Sequence, residues 1–311
     1  MDIRGVARIV WESCIRAEGG EKALVLSDPT GERLEIAHAL AEVGDTICDC
    51  ELVRMEPTGM NGREPAPEVA RMMLASDIVI APTQYSITHT KASAAAAAKG
   101  AKVATLPGIT KDMFMRAIPL DYEELDKVCT ALKERFMDAC VIRVTTTKGT
   151  DITMETEKGR KVCHGNGIFK PGKIKNLPDG EIAIAPKEGS SNGTVVFDLS
   201  SLNQRIKEPF RVEVKNGNAT SCGNKELWDI LSSTENGTNL AELGIGTNPK
   251  ARVTGRILED EKVRGTAHIA FGTNAELGGR IQTSIHLDSV FDRPTIEVDG
   301  KVIIKEGEFI F

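Results

Sequence analysis

The sequence predicts an α/β N-terminal domain with a parallel sheet, followed by a β-rich α+β domain. In the first half, short apolar runs alternate with helical segments, and this alternation is typical of βαβ units. In the second half, short strands are separated by tight turns, which is typical of antiparallel pairing. The change falls near residue 138, so we expect domains over residues 1–138 and 139–311.

The first domain is predicted to alternate strands and helices in the order of a Rossmann-like domain. The predicted strands cover residues 23–28, 46–55, 77–82 and 102–106, and the predicted helices cover residues 1–20, 32–43, 68–75, 90–99 and 122–137. The alanine run over residues 94–98 favours a helix that packs closely on the sheet, because alanine has the highest helix propensity.

Hairpin turns mark the second domain. The predicted hairpins turn at Lys148-Gly149-Thr150, Asn216-Gly217 and Asp299-Gly300. Asn-Gly is the strongest short hairpin signal, because both of its residues accept a positive φ. Only residues 224–232 have a helical pattern in this half, so we expect a mainly antiparallel domain over residues 139–311.

Composition excludes several classes of function. The formal net charge is −6 and the Lys and Arg residues are scattered, so no nucleic-acid partner is expected. No apolar run approaches the ~20 residues that span a bilayer, and the N-terminus lacks the apolar segment of a secretory signal. The 7 cysteines are dispersed without a CxxC pair, which is typical of a reducing, cytoplasmic environment.

The first domain carries no dinucleotide-binding motif. It lacks GxGxxG, so NAD binding is not expected. Ligands of doubly wound sheets lie at the carboxyl ends of the strands, and the loop over residues 83–91 is densely polar there. In one interpretation His89 and Lys91 face a substrate. In the other, Thr88 and Thr90 cap the following helix and His89 is solvated.

Two histidines and two acids of the second domain form a candidate metal site. His286 and Asp288 are two residues apart, so in a strand their side chains project from the same face. His268 and Glu242, on neighbouring segments, complete a set of ligands suited to Zn, Mn, Co or Fe(II). Simpler interpretations are a hydrogen-bonded core histidine for His268 and an ordinary histidine–aspartate hydrogen bond for His286.

A further acid, Glu181, directly follows the turn Pro178-Asp179-Gly180 and opens an apolar run. A carboxylate at this place can be held rigidly and aimed at a ligand. The alternative is an ordinary solvated turn acid, since acids are mostly exposed.

The order of these motifs resembles the thermophilic metallo-aminopeptidase family, of the aminopeptidase T and aminopeptidase S type. The resemblance is carried by the segments NLPDGE (176–181), ELGIGTNP (242–249), GTAHIA (265–270) and HLD (286–288). It implies that residues 139–311 are a metal-binding catalytic domain with two Zn, Co or Mn ions per chain. The ligands that it implies are Glu181, Glu242, His268, His286 and Asp288.

The same resemblance implies the reaction and the assembly. The activity would be that of an aminopeptidase-like hydrolase, in which metal-activated water attacks the carbonyl of a peptide or amide. The substrate would be a short peptide or another small molecule, and the protein would be a homodimer.

One departure from this family concerns catalysis. Its members carry an oxyanion-stabilising tyrosine shortly after a ligand histidine, and this chain has Ala275 at that position. Candidates for the missing role are Glu276, Asn274 and His89. We therefore predict Glu242, Glu276 and His89 as the catalytic residues.

A second resemblance, to the 2,5-dihydroxypyridine dioxygenases, gives the alternative function. It is carried by GTNAELGG (272–279), which leads into His286-Leu287-Asp288. Those enzymes hold one Fe(II) with two histidines and one aspartate, but their first histidine falls where this chain has Glu242, and they lack His268. A triad of His268, His286 and Asp288 is chemically possible for a ring-cleaving reaction.

We expect the hydrolase rather than the dioxygenase, because Glu181, Glu242 and His268 are all present. A non-catalytic binder of small molecules on the same fold is a third alternative.

Overall fold

The computed structural model describes residues 1–310, which form two compact units. The first unit comprises Met1–Asp126 and Asn166–Asp179, and the second comprises Lys127–Gly165 and the segment that begins at Gly180. This division differs from the expected boundary at residue 138. The chain enters the second unit earlier, and a later segment returns to the first unit.

The first unit contains a five-stranded parallel sheet. Its strands are β1 (Lys22–Ser27), β2 (Asp49–Arg54), β3 (Ile78–Ala81), β4 (Lys102–Thr105) and β8 (Ile174–Asn176), in the order β2-β1-β3-β4-β8. Its helices are α1 (Ile3–Ile9), which continues as a π-helix (Val10–Ile15), α2 (Glu32–Gly44), α3 (Pro67–Ala75), α4 (Lys91–Ala98) and α5 (Lys111–Ala117). The returning segment contributes β8, which pairs in parallel with β4.

The apolar runs of the first unit form its buried strands. β3 and β4 are buried at every residue, which is typical of parallel strands covered on both faces. Leu24 and Val79 of the sheet belong to one apolar cluster with Met73 of α3 and Ala96 of α4. Ala96 lies in the alanine run, whose small side chains allow a helix and a sheet to approach closely.

The second unit contains two antiparallel sheets. The eight-stranded sheet has the order β14-β13-β10-β6-β5-β18-β19-β20, with β5 (Val141–Thr145), β6 (Asp151–Glu155), β10 (Asn192–Phe197), β13 (Phe210–Lys215), β14 (Asn218–Cys222), β18 (Thr295–Val298), β19 (Lys301–Lys305) and β20 (Glu308–Phe309). The seven-stranded sheet has the order β12-β11-β17-β16-β15-β9-β7, with β7 (Val162–Gly165), β9 (Glu181–Ile184), β11 (Ser200–Ser201), β12 (Gln204–Arg205), β15 (Leu240–Gly246), β16 (Thr266–Gly272) and β17 (His286–Asp292).

Few helices accompany these sheets. The second unit holds α7 (Lys225–Ser233), α8 (Ile257–Asp260) and a short 3-10 helix (Ala275–Leu277), while α6 (Tyr122–Met137) begins in the first unit and continues into the second. Across residues 1–310, none of the helices combines the length and the apolar character that crossing a bilayer requires.

Candidate metal centre

Three adjacent strands of the seven-stranded sheet carry four of the candidate ligands. Glu242 lies on β15, His268 lies on β16, and His286 and Asp288 lie on β17. The cross-strand pairs are Glu242 with Ala270, Ala270 with Asp288, Gly244 with His268, and Gly272 with His286. Because alternate residues of a strand share a face, all four side chains project to the same side of the sheet, with small residues between them.

Glu181 joins the same face from the other neighbour of β15. It is the first residue of β9 and pairs with Gly246. The structure therefore brings together all five residues that were predicted as metal ligands.

Gly244 leaves the space that the His268 imidazole occupies. A Cβ atom at position 244 would lie 1.9 Å from His268 Nε2. The imidazole therefore lies directly over β15, and His268 is only 1% exposed. A larger residue at this position is incompatible with the observed ring position.

The imidazole nitrogens and the carboxylate oxygens approach one another closely. His268 Nε2 lies 3.4 Å from Glu242 Oε1 and 3.5 Å from Glu181 Oε2. His286 Nε2 lies 3.0 Å from Glu242 Oε2 and 3.6 Å from Asp288 Oδ1. Glu242 thus lies between the two imidazoles, with one oxygen directed at each Nε2.

These separations fit the coordination sphere of a metal ion. Two atoms that bind one ion at ~2.1 Å are ~3.0 Å apart at a right angle and ~3.4 Å apart at a tetrahedral angle. One ligand atom from each of Glu242, His268 and Asp288 lies within 4.8 Å of the others. The set therefore suits a divalent cation that accepts nitrogen and oxygen ligands.

The two imidazoles are held in different ways. His286 Nδ1 lies 2.8 Å from the carbonyl oxygen of Thr273, so Nδ1–H donates to that carbonyl and Nε2 faces the acids. This arrangement is typical of metal-binding histidines. His268 Nδ1 is buried and has no hydrogen-bond partner within residues 1–310. Its ring is held instead by packing, over Gly244.

A second group of charges adjoins His268. Lys262 Nζ lies 2.6 Å from Glu181 Oε1 and 2.5 Å from Glu261 Oε1, and the lysine side chain is only 3% exposed. Ligand atoms of Glu181, Glu261 and His268 also lie within 4.8 Å of one another. No role was predicted for Glu261 or Lys262, although both lie just before the strand that carries His268.

Burial and mutual attraction shift the pKa values of this cluster. Burial raises the pKa of Glu181 to about 7, although Lys262 acts in the opposite direction. Burial would lower the pKa of His268, but the hydrogen bond to Glu242 and the negative charges of Glu242, Asp288 and Glu181 together outweigh it and raise that pKa to about 9. Burial would raise the pKa of Glu242, but hydrogen bonds from His268 and His286 hold it well below its usual range. Glu242 is therefore ionised at neutral pH, the form that binds cations.

The cluster has an excess of negative charge when its histidines are neutral, which is the form that binds metal. With all its acids ionised, four carboxylates (Glu181, Glu242, Glu261 and Asp288) and one ammonium (Lys262) leave three uncompensated negative charges. Buried charges are stable only when they are paired. One divalent cation would compensate two of the three.

His89, one of the predicted catalytic residues, lies in the first unit and is exposed in the turn before α4. Thr90 is the N-cap of α4, and its Oγ1 accepts a hydrogen bond from Ser93 N–H at 3.2 Å. Thr88 Oγ1 instead lies 2.7 Å from Thr105 Oγ1. The start of α4 thus follows the capping interpretation for Thr90, and a catalytic role of His89 stays a prediction.

Glu276, another predicted catalytic residue, is exposed on the 3-10 helix between β16 and β17. Its backbone carbonyl accepts a hydrogen bond from Lys161 Nζ at 2.7 Å. The neighbouring Asn274 is buried, and its Nδ2 donates to Glu188 Oε1 at 2.9 Å. Asn274 therefore stabilises this loop, and the role of Glu276 stays a prediction.

Comparison with known proteins identifies the family of this chain. The family profile NicX, 2,5-dihydroxypyridine 5,6-dioxygenase, matches residues 10–311. The chain belongs to the 2,5-dihydroxypyridine 5,6-dioxygenase family. The expectation of an enzyme family is therefore confirmed, and so is the resemblance to these dioxygenases.

A curated relative and a solved structure of this dioxygenase family are both from Pseudomonas putida KT2440. A 2,5-dihydroxypyridine 5,6-dioxygenase is 24% identical in an alignment of 160 residues that covers 45% of this chain and 46% of the relative, so the match spans about half of that protein. The solved structure of a 2,5-dihydroxypyridine dioxygenase from strain KT2440 superposes with a TM-score of 0.83 at 18% identity, covering 99% of this chain and 96% of the other. The second likeness shows a shared fold.

The prediction of an aminopeptidase-like hydrolase, and so of a protease, is wrong. The dioxygenase family matches nearly the whole chain, and the resemblance to the metallo-aminopeptidases is not supported. The ligand types were misleading because nitrogen and oxygen donors serve hydrolytic and oxidative metal sites alike. Glu276 and His89 were predicted as substitutes for the oxyanion-stabilising tyrosine of the hydrolases. Because the hydrolase is excluded, that argument for their catalytic role no longer applies.

The dioxygenase family supports a metal cofactor, but not the two Zn, Co or Mn ions per chain that were expected. The geometry gives a physical reason. Glu181 was expected to bind one of two ions, and its Oε1 is already compensated by the Lys262 ammonium at 2.6 Å.

Proposed function

We propose that this protein is an Fe(II)-dependent dioxygenase that opens the ring of a small hydroxylated aromatic compound of the 2,5-dihydroxypyridine class. The observation that carries the proposal is the placement of Glu242, His268, His286 and Asp288 on one face of a sheet, with Glu242 in contact with both imidazoles. The family of the chain supports oxidative rather than hydrolytic chemistry at this place.

We assign one ion to His268, His286 and Asp288, with Glu242 as a fourth ligand. Two imidazoles and one carboxylate are the ligand set that non-haem Fe(II) oxygenases use. Glu242 has one oxygen near each Nε2, so it lies at the centre of the set. Glu181 is paired with Lys262 and is left out of this ligand set.

Bound Fe(II) would supply the electron transfer that lets oxygen react with an aromatic ring. The chain itself orients the ligands and limits access to them. The Thr273 carbonyl fixes the His286 ring, and Gly244 leaves the space for His268. The Glu242 side chain is 10% exposed while the His286 side chain is 32% exposed, so the substrate is expected to approach from the side of His286.

The proposal is tested by loading the purified protein with Fe(II) under anaerobic conditions and adding 2,5-dihydroxypyridine and oxygen. We expect one oxygen molecule consumed per substrate, loss of the aromatic ultraviolet absorbance, and about one iron per chain. Protein loaded with Zn²⁺, which has no redox chemistry, is the matched control and should consume no oxygen. No oxygen uptake by the iron-loaded protein, with this compound or with related dihydroxylated aromatics, would overturn the proposal.

The homodimer expected from the sequence is retained as part of the proposal. Light scattering on the purified protein should give the mass of two chains, and the mass of one chain would contradict it.

A further inference from the structure

Glu181 and Glu261 form an acidic pair beside the proposed iron ligands, and Lys262 bridges it. The ammonium lies 2.6 Å from one carboxylate and 2.5 Å from the other. The exposed fractions of the three side chains are 15% for Glu181, 12% for Glu261 and 3% for Lys262. A lysine is rarely buried to this extent unless it is paired, so these contacts define its position.

The backbone of Lys262 is anchored on both sides. Its N–H donates to the carbonyl of Glu259 at 2.9 Å, and its own carbonyl accepts from the N–H of Asn248 at 2.8 Å. Asp260, two residues before Lys262, accepts hydrogen bonds from the N–H groups of Thr254 and Gly255 at 2.6 and 2.8 Å. The ammonium is therefore presented from a fixed turn, not from a mobile loop.

The acids that Lys262 bridges are also suitable metal ligands. Glu181, Glu261 and His268 each direct one ligand atom into a space where all three atoms are within 4.8 Å. Two carboxylates and an imidazole are ligands that divalent cations accept. An ammonium in contact with both acids repels a second cation strongly over such distances in a buried site, so the acids can be compensated by the lysine or by a metal ion.

We infer that Lys262 occupies the position of a second cation and holds the centre to one metal ion. This inference rests on the proposed function, because it takes the iron site at His268, His286 and Asp288 as given. Lys262 acts as a positioning residue: it keeps Glu181 and Glu261 out of metal coordination and leaves His268 to the first site.

The test compares metal content between the wild type and Lys262→Met, which has a side chain of similar length without the charge. Both proteins are dialysed against Mn²⁺, and bound manganese per chain is measured by elemental analysis. The variant should bind one more Mn²⁺ than the wild type, held by Glu181 and Glu261 while His268 stays with the first ion, and its electron paramagnetic resonance spectrum should show a coupled manganese pair. Equal manganese content in the two proteins, whatever the number, would overturn the inference.

Three further variants distinguish the effect of the Lys262 charge on metal content from a general disturbance of the structure. Lys262→Arg keeps the positive charge and should retain the wild-type metal content. Lys262→Met combined with Glu261→Gln removes one acid of the second site and should lose the additional ion. Lys225→Met removes an exposed lysine of α7 and should have no effect.

A separate variant tests the inference if Lys262→Met does not fold. Glu181→Gln leaves Lys262 with Glu261, and it should change the metal affinity by less than tenfold, because Glu181 is a partner of the lysine and not of the metal. A larger loss would overturn the inference. Oxygen uptake by the iron-loaded wild type reports on the proposed function alone, so its failure is distinguishable from an unchanged metal count in the variant.

Discussion

The candidate metal centre has two sides, and the negative charge of each side is compensated by a different kind of cationic side chain. On one side, Glu242 and Asp288 face the imidazole of His286. On the other side, Glu181 and Glu261 face the ammonium of Lys262. Both sides are largely buried, and His268 adjoins both of them. The two pairs of acids thus differ mainly in the cationic side chain that each one meets.

This difference decides which side accepts a metal. An imidazole can lose its proton and then donates a lone pair to the metal. A lysine ammonium has three donors and no acceptor, so it compensates a carboxylate but does not bind a cation. The number of acids in a cluster therefore does not give the number of metal ions, because the partners of those acids must be counted as well.

The largest expected effect is that of His286→Ala on the histidine side. Removal of the imidazole deletes one ligand and also leaves Glu242 and Asp288 without their shared partner. We expect a loss of at least about 100-fold in metal affinity, more than for the loss of a residue that only supports a ligand, together with loss of oxygen uptake. Titration calorimetry with Fe(II) or Mn²⁺ measures the affinity.

The matched control for this variant is His38→Ala, which removes an exposed histidine of α2 in the first unit. It should bind metal like the wild type. Full metal content in His286→Ala would show that the metal does not bind on the side of His286.

A somewhat smaller effect is expected from Gly244→Ala, which acts on the histidine that the two sides share. The added Cβ would meet His268 Nε2 at 1.9 Å, so the imidazole must leave its place over β15. We expect a loss of about 10–100-fold in metal affinity and of about 1–3 kcal/mol in the free energy of unfolding. Calorimetry and urea unfolding measure the two quantities.

Gly19→Ala is the control, because a Cβ atom at position 19 meets nothing within 4 Å. Metal affinity of Gly244→Ala within twofold of the wild type would mean that the position of His268 is unimportant for binding.

The fold elements that the sequence predicted well are those with a strong local pattern. The predicted helix over residues 122–137 coincides with α6, and the strand over 102–106 coincides with β4 to within a residue. β8 (Ile174–Asn176) was not predicted, because it has three half-buried residues and no periodicity. Its place in the sheet comes from pairing with β4, a contact distant in sequence that no local pattern encodes.

The candidate site was predictable for a similar reason. The spacing of His286 and Asp288, and the apolar segments around His268 and Glu242, placed these residues on strands, where the structure has them. Burial of Lys262 was not predictable, since lysines are almost always exposed, and only the fold shows which acids it meets. Without that contact Glu181 was interpreted as a metal ligand, which favoured the hydrolase.

The smallest effect is expected from Glu188→Gln, which loosens the loop between β16 and β17 on the histidine side. Glu188 holds this loop: its carboxylate accepts hydrogen bonds from Arg160 Nη2 at 2.9 Å, Asn274 Nδ2 at 2.9 Å and the Arg280 N–H at 2.8 Å. The same loop supplies the Thr273 carbonyl that orients His286. Burial would raise the pKa of Glu188, but these hydrogen bonds lower it from 4.5 to about 2.

A carboxyl group with a lowered pKa in the folded state contributes stability above its unfolded pKa, and this contribution is lost as the pH falls through the folded pKa. We therefore expect Glu188→Gln to reduce the free energy of unfolding by about 1–2 kcal/mol at pH 7. The difference from the wild type should shrink as the pH falls from 4.5 toward about 2. Urea unfolding at several pH values measures it, with Glu226→Gln on the exposed face of α7 as the control.

Metal affinity of Glu188→Gln should fall only a few-fold, because the loop is loosened while every ligand remains. In the double variant Lys262→Met/Glu188→Gln, the affinity for the additional ion should not fall in the same way. That ion would contact neither His286 nor the loop. A stability difference that stays constant with pH would show that Glu188 acts through packing and not through its charge. The loop would then support the histidine side by shape alone, and the contrast between the two sides would rest on His286 and Lys262 themselves.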